Sequence, residues 1–163
     1  MNSRSIALAL LTLAGAAQAD VQVTFVAPEK FADIKDNNGF RQLELLKDIE
    51  AHLVAQAQQR LPGRDVRFEV TDVDLAGEVE PFARQIQWLR VMRTVTLPSI
   101  TLSYEVREGG KVVRQGQARL RDMNYQDGFN RYSSGEALRY EKRMIDRWFE
   151  REFSPAVAAA PAR

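Results

Sequence analysis

Alternation of apolar and polar residues predicts five strands, each with one buried face. In these runs, every second residue tends to be a large apolar one. The runs lie at Val21–Phe25, Val66–Val70, Leu89–Val91, Ile100–Val106 and Val112–Leu120. Gly109 and Gly110 separate the last two runs. Because paired glycines accept positive φ angles, these two strands should form a hairpin.

Apolar residues at spacings of three and four predict two helices. The first covers Phe40–Leu61, with Asn37 or Asn38 as a cap before it and Pro62 after its end. The second follows Ser133–Glu136, whose serine-to-glutamate spacing is typical of a capping box. Its inward stripe consists of Ala137, Leu138, Met144, Ile145, Trp148 and Phe149.

The elements therefore follow the order β-α-β-β-β-β-α. A strand–helix–strand unit normally places its two strands parallel, and the hairpin adds antiparallel pairing. We predict an α+β two-layer sandwich, with a mixed, mostly antiparallel sheet and two helices on one face. The other face should be polar and suited to solvent or a partner. The residues expected there are Gln22, Thr24, Arg67, Glu69, Thr101, Ser103, Glu105, Gln115, Gln117 and Arg119.

The N-terminus has the pattern of a secretory signal peptide. Arg4 precedes an apolar run over Ile6–Ala14, and Ala17 and Ala19 form an Ala-x-Ala cleavage site. That run is well short of the ~20 residues of a membrane-spanning helix. We therefore expect cleavage after Ala19 and a periplasmic or, alternatively, secreted protein. The predicted division is a signal peptide over 1–19, a single α+β domain over 20–153 and a disordered Ala/Pro tail over 154–163.

Composition narrows the possible chemistry. The chain has 23 Lys and Arg against 22 Asp and Glu, and removing Arg4 makes the numbers equal, which argues against nucleic-acid binding. It has no Cys, which excludes disulfides, cysteine nucleophiles and a lipid anchor on Cys. The single histidine, His52, excludes multi-histidine zinc sites and should be a partly buried structural residue. No phosphate-binding glycine loop or serine-nucleophile motif occurs, so no catalytic residue is assigned.

An acidic segment rich in turn residues follows the second predicted strand. Asp72, Asp74, Gly77, Glu78 and Glu80 fall at positions one, three, six, seven and nine of an EF-hand loop. The match then fails, because alanine occupies positions five and twelve. The segment is therefore either a solvated turn paired with nearby arginines or a weak site for a divalent cation. No other cofactor is expected.

A carboxylate interrupts the apolar stripe of the last helix. Glu141 has apolar neighbours three, four and seven positions away, and an unpaired buried charge costs several kcal/mol. Its partner should be an arginine from the strands or a donor near Asp122–Tyr125. Glu141 is then either a structural anchor or a perturbed carboxylate in a pocket. Residues that could line such a pocket, or cover the edge of the core, are Met123, Tyr125, Phe129, Tyr132 and Trp148.

Four separated motifs, at Val23–Pro28, Thr71–Glu78, Leu120–Tyr125 and Leu138–Met144, occur in this order. In these motifs the chain resembles a family of secreted proteobacterial proteins catalogued as a domain of unknown function, number three thousand and sixteen. The resemblance extends over Val21–Phe153 and implies a periplasmic single-domain protein. It supplies no activity, cofactor or catalytic residue. The positions that carry it are Asp72, Asp74, Gly77, Glu78, Asp122, Asn124, Glu141 and Trp148.

Two functions remain open. The first is a non-enzymatic periplasmic binding or envelope-assembly module whose partner is an envelope protein. The second is a carboxylate-based hydrolase, with or without a cation, that acts on an envelope polymer. The hydrolase would need two or more of its acids within ~6 Å of each other in an open cleft. The acids proposed for the hydrolase are Asp72, Asp74, Glu78 and Glu141. A wider cluster of functional or buried polar residues adds Asp122 and Asn124.

Overall fold

The computed structural model describes residues 19–31, 40–82 and 87–154. Six strands and two helices lie within these ranges, together with a short 3-10 turn at Pro28–Lys30. The strands are β1 (Val21–Phe25), β2 (Asp65–Asp74), β3 (Glu78–Phe82), β4 (Gln87–Val91), β5 (Ser99–Glu108) and β6 (Lys111–Arg121). The helices are α1 (Phe40–Arg60) and α2 (Arg139–Glu152).

Four strands form one mixed sheet in the order β1-β2-β5-β6. β1 runs parallel to β2, as the intervening helix predicts, and the pairs β2–β5 and β5–β6 are antiparallel. β3 and β4 form a separate antiparallel hairpin between β2 and β5 along the chain. The predicted α+β class with a mixed, mostly antiparallel sheet is confirmed.

The hydrophobic core lies between this sheet and the two helices. Aromatic rings join the layers, since Phe68 on β2 contacts Phe149 and Trp148 on α2 at centroid distances of 6.0 and 6.2 Å. Tyr104 on β5 meets Trp148 at 5.6 Å. Edge-to-face pairs of this kind add to the stabilisation from burial alone. Fully buried residues from the sheet and the two helices include Ile49, Leu53, Ala57, Val70, Val73, Ile100, Leu102, Ile145 and Phe149.

The acidic segment was predicted as a turn, and that prediction is wrong for most of its length. β2 continues to Asp74, and Glu78–Phe82 is a strand. A β-bulge between Val70 and Asp72 interrupts the alternation of buried residues and then returns Val73 to the core. The chain turns between β2 and β3 at Gly77, which has a φ of +77°. A side chain would not fit there, because a Cβ atom at this position would lie 2.5 Å from the Val91 carbonyl oxygen.

The start of the last helix also differs from the prediction. Ser133–Glu136 forms a turn, in which the Glu136 N–H donates to the Ser133 carbonyl at 3.1 Å, and α2 begins at Arg139. The Glu136 side chain accepts a hydrogen bond from Lys142 Nζ at 2.8 Å. A capping box needs that carboxylate to reach back to the serine N–H instead. Leu138 precedes the helix with a left-handed backbone, and no side chain caps it.

Three expectations lie outside the described residues: the asparagine cap before α1, most of the Ala/Pro tail and most of the signal peptide. Among the described helices, none has both the length and the apolar character required to cross a bilayer.

Candidate functional site

The sheet face opposite the helices carries polar side chains in rows across the strands. The strand register aligns Gln22, Arg67, Glu105 and Gln115 in one row, and Thr24, Glu69, Ser103 and Gln117 in the next. Asp72, Thr101 and Arg119 form a third row, and Asp74, Ser99 and Arg121 form a fourth. Except for the buried Ser99, these residues are exposed or half-buried. We call this surface, made of these four rows, the open face.

A cleft of about 320 Å³ lies at the end of the open face. Its polar walls come from β2 and β3 on one side, from β6 on the other and from the segment before β5. The polar residues that line it are Asp74, Glu78, Thr96, Ser99, Arg119 and Arg121. We call it the arginine cleft, because β6 contributes two arginines to it.

The acidic residues of the former loop prediction lie on two strands. Asp72 and Asp74 are in β2, whereas Glu78 and Glu80 are in β3. Arg93 lies 2.6 Å from Glu80 and 3.7 Å from Glu78. Within the described ranges, no group of three or more His, Asp or Glu side chains is placed to share a metal ion. The extended backbone therefore does not form the tight ligand loop that an EF-hand requires.

Glu141 is buried beneath the link between β2 and β3. It is 2% exposed, and its Oε1 accepts the Ala76 N–H at 2.7 Å. The sequence predicted an arginine from the strands or a donor near residues 122–125, and the Ala76 N–H, a backbone amide from the acidic segment, is a partner that it did not name. Arg90 donates to the Ala76 and Gly77 carbonyls at 3.3 and 3.1 Å. Glu141 thus fixes α2 to the start of the hairpin.

Asp122 organises the connection between β6 and α2. Its Oδ1 accepts the Asn124 N–H at 3.1 Å, and its Oδ2 lies 3.0 Å from Arg143. The Arg143 guanidinium, in a residue only 5% exposed, also donates to the carbonyls of Tyr125 at 2.6 Å and Asp127 at 3.1 Å. One buried cation therefore holds several backbone acceptors of this connection in place.

The five aromatic and apolar candidates do not gather around one cavity. Tyr125 is buried and donates its hydroxyl to the Arg93 carbonyl at 2.7 Å, while Trp148 lies in the core. Met123 and Phe129 are 71% and 85% exposed. None of the five lines the arginine cleft.

A second polar cluster joins α1 to α2. His52 Nε2 lies 2.9 Å from Asp146 Oδ1, and the Tyr132 hydroxyl donates to Asp146 Oδ2 at 2.7 Å. Arg131 lies 2.8 Å from the same Oδ2. The His52 side chain is 11% exposed. The sequence indicated a structural histidine but not its partners, which are 80 or more residues away along the chain.

The charge state of this cluster follows from its hydrogen bonds. Burial would raise the pKa of Asp146, but hydrogen bonds from His52 and Tyr132 outweigh it, so this pKa is lowered from 3.8. Because a carboxylate only accepts hydrogen bonds, His52 Nε2 must carry the hydrogen. Burial and the bond to Asp146 raise the pKa of Tyr132 to about 12, against the opposing effect of Arg131. Tyr132 therefore stays a donor at neutral pH.

Arg143 and Asp146 are the site residues that the sequence did not single out. Both are buried. Their position beside Met144 and Ile145 is not a signal of burial, because neighbouring residues on a helix of 3.6 residues per turn point about 100° apart.

Fold and site together define a two-layer α+β domain with an open polar sheet face, a cleft at one end of it and a helix anchored by buried charges. The chain belongs to the family described as protein of unknown function, DUF3016, which matches residues 19–151. The chain matches no curated protein.

Glu141→Gln should lower the free energy of unfolding by about 1–3 kcal/mol, because a buried hydrogen bond to a charged group becomes a neutral one. Urea denaturation monitored by circular dichroism measures the change. Glu150→Gln is the matched control, since Glu150 pairs with Arg60 at 3.0 Å on the surface and should contribute at most ~1 kcal/mol. Equal effects of the two substitutions would contradict the anchoring role of Glu141.

Asp146→Asn should make the free energy of unfolding depend less on pH in the acid range. Because the pKa of Asp146 is lowered in the folded state, its stabilising effect is complete above the ordinary value of 3.8 and disappears as the pH falls through the lowered pKa. Urea unfolding between about pH 2 and pH 7 should show the variant less stable at neutral pH, with the difference vanishing at the acid end. Asp48→Asn, at an exposed position on α1, is the control. A difference that is independent of pH would contradict this assignment.

Proposed function

We propose that this protein is a non-enzymatic binding module of the bacterial envelope and that it binds its partner through the open face. The observation that carries this proposal is the asymmetry of the sheet. One face is sealed by α1 and α2, whereas the other presents four rows of polar side chains without an apolar stripe. A polar face of four rows is suited to a partner that binds reversibly and presents complementary hydrogen-bonding groups.

The hydrolase alternative has less support from the positions of the acids. Asp74 and Glu78 border the arginine cleft. Glu141 instead lies on the helix side of the sheet, beneath Ala76. Asp72 is one row away from Asp74 and does not line the cleft. Two of the four acids, Asp74 and Glu78, therefore share a cleft, and the hydrolase alternative rests on this pair alone.

The proposed location is the periplasm, after cleavage behind Ala19. The geometry at Asp20 supports this site, because its backbone N lies 3.0 Å from Asp65 Oδ1 and its carbonyl accepts the Val66 N–H at 2.9 Å. Cleavage would turn that N–H into an ammonium group directly beside the Asp65 carboxylate. The new terminus would then be held by an ion pair at the edge of the sheet.

Expression of the complete chain in a bacterium should yield a periplasmic protein whose first residue is Asp20. Osmotic-shock fractionation followed by intact-mass measurement checks both points. Ala19→Arg, which places a large charged residue at the cleavage position, should leave the precursor uncleaved. A cytoplasmic protein that retains residues 1–19 would contradict the proposed location.

The binding role is tested by photo-crosslinking in cells. A photoreactive amino acid at Gln117 on the open face should give a reproducible adduct of defined mass, and the same group at the exposed Gln58 on α1 should not. Excess unmodified protein should compete the adduct away. The absence of any adduct from Gln117, or identical adducts from both positions, would overturn the proposal.

A further inference from the structure

Two arginines at the end of β6 lie in the arginine cleft without neutralising partners. Arg119 and Arg121 are exposed and two residues apart on the same face of one strand. In the part of the chain that the structure describes, the side chain of neither residue makes a hydrogen bond or an ion pair, although both backbones are paired with β5. Residues i and i+2 of a strand are roughly 6.6 Å apart, so two flexible guanidinium groups at this spacing can reach the same small ligand.

Within the described residues, neither acid of the cleft forms an ion pair with these arginines. Asp74 faces Arg121 across Ser99 in the same row, and two strand spacings amount to about 9.5 Å. Glu78 lies 3.7 Å from Arg93 instead. The cleft therefore has a cationic side on β6 and an acidic side on β2 and β3. The buried Ser99 lies between the two sides.

A second cleft, of about 240 Å³ at the other end of the open face, has a different charge arrangement. Arg107 lies 2.7 Å from Glu105 there, and Asp20 and Asp65 also line the cavity. Acids thus outnumber bases in the second cleft, and one of its two arginines is already paired. Of these two clefts, only the arginine cleft offers a pair of uncommitted guanidinium groups.

We propose that the arginine cleft binds a small ligand through an oxyanion, either a carboxylate or a phosphate, held by Arg119 and Arg121. Guanidinium groups match the geometry of both anions, because their planar N–H groups can donate in pairs. Ser99 adds a hydroxyl beside the arginines. This inference rests on the proposed function, since it assigns a ligand class to one end of the open face.

Titrations of the purified protein with inorganic phosphate and with succinate test the proposal. Sodium chloride at matched ionic strength separates binding from simple charge screening. The two-dimensional NMR signals of arginine Nε–H groups report on binding at each side chain. Saturable shifts at Arg119 and Arg121 with either anion, and not with chloride, are the expected result. The anion that binds more tightly identifies the oxyanion.

Substitutions locate the site. Arg119→Gln and Arg121→Gln should each weaken binding about tenfold or more, and Arg121→Lys should weaken it less because it keeps the charge but loses the paired N–H groups. Arg67→Gln is the matched control, since Arg67 is also exposed on the open face but outside this cleft. Circular dichroism verifies that each variant is folded.

Absence of saturable shifts with both anions would overturn the inference, as would binding that the Arg119 and Arg121 substitutions leave unchanged. The outcome is separable from that of the proposed function. If crosslinking from Gln117 persists while neither anion binds, only the ligand assignment fails. If an oxyanion binds but Gln117 gives no adduct, only the partner-binding role fails.

Discussion

The architecture depends on three charged side chains that α2 buries between its apolar residues. Each one reaches a different part of the chain: Glu141 holds the link between β2 and β3, Arg143 holds the connection after β6, and Asp146 holds His52 on α1. A buried charge is tolerated only where its partners are correctly placed. The three requirements must be met together, so they restrict α2 to one position on the sheet. Apolar packing alone would allow the helix to slide or rotate with a smaller penalty.

This restraint separates the two faces of the sheet by role. The buried charges and the aromatic contacts all lie on the helix side, where they stabilise the domain. The open face contributes little to that core, which is why we propose it as the binding surface. The arginine cleft lies where the two regions meet, because the same β2–β3 link that borders the cleft also donates the Ala76 N–H to Glu141. Rigidity on one side therefore supports a preformed cavity on the other.

Much of the fold could be predicted from local patterns. Alternation located the strands of the main sheet and the polar residues of its open face, and the interrupted apolar stripe correctly indicated a buried Glu141. The errors arose where a local pattern had two physical meanings. Thr71 and Asp72 in succession resemble the start of a turn, but a bulge absorbs them within β2. The spacing from Ser133 to Glu136 resembles a capping box, but Lys142 takes the carboxylate.

The arginine cleft could not be predicted, because it depends on contacts that are distant along the chain. The row of Asp74, Ser99 and Arg121 exists only because β5 pairs with β2 on one side and β6 on the other. The partners of Arg143 and Asp146 are likewise remote. Periodicity shows which way a side chain points relative to its own element, but not which neighbour it will meet.

The position of β1 has a consequence for how the polypeptide reaches its native state. β1 has only five residues and, in the described sheet, pairs only with β2. The whole of α1 separates these two strands along the chain. The loop that this pairing closes is long, whereas β5 and β6 meet through a two-residue turn. We therefore expect the β5–β6 hairpin to form early in folding and β1 to join the sheet late. If the chain is exported from its N-terminus, as we propose, β1 would emerge before β2, which delays compaction until the later segments have crossed.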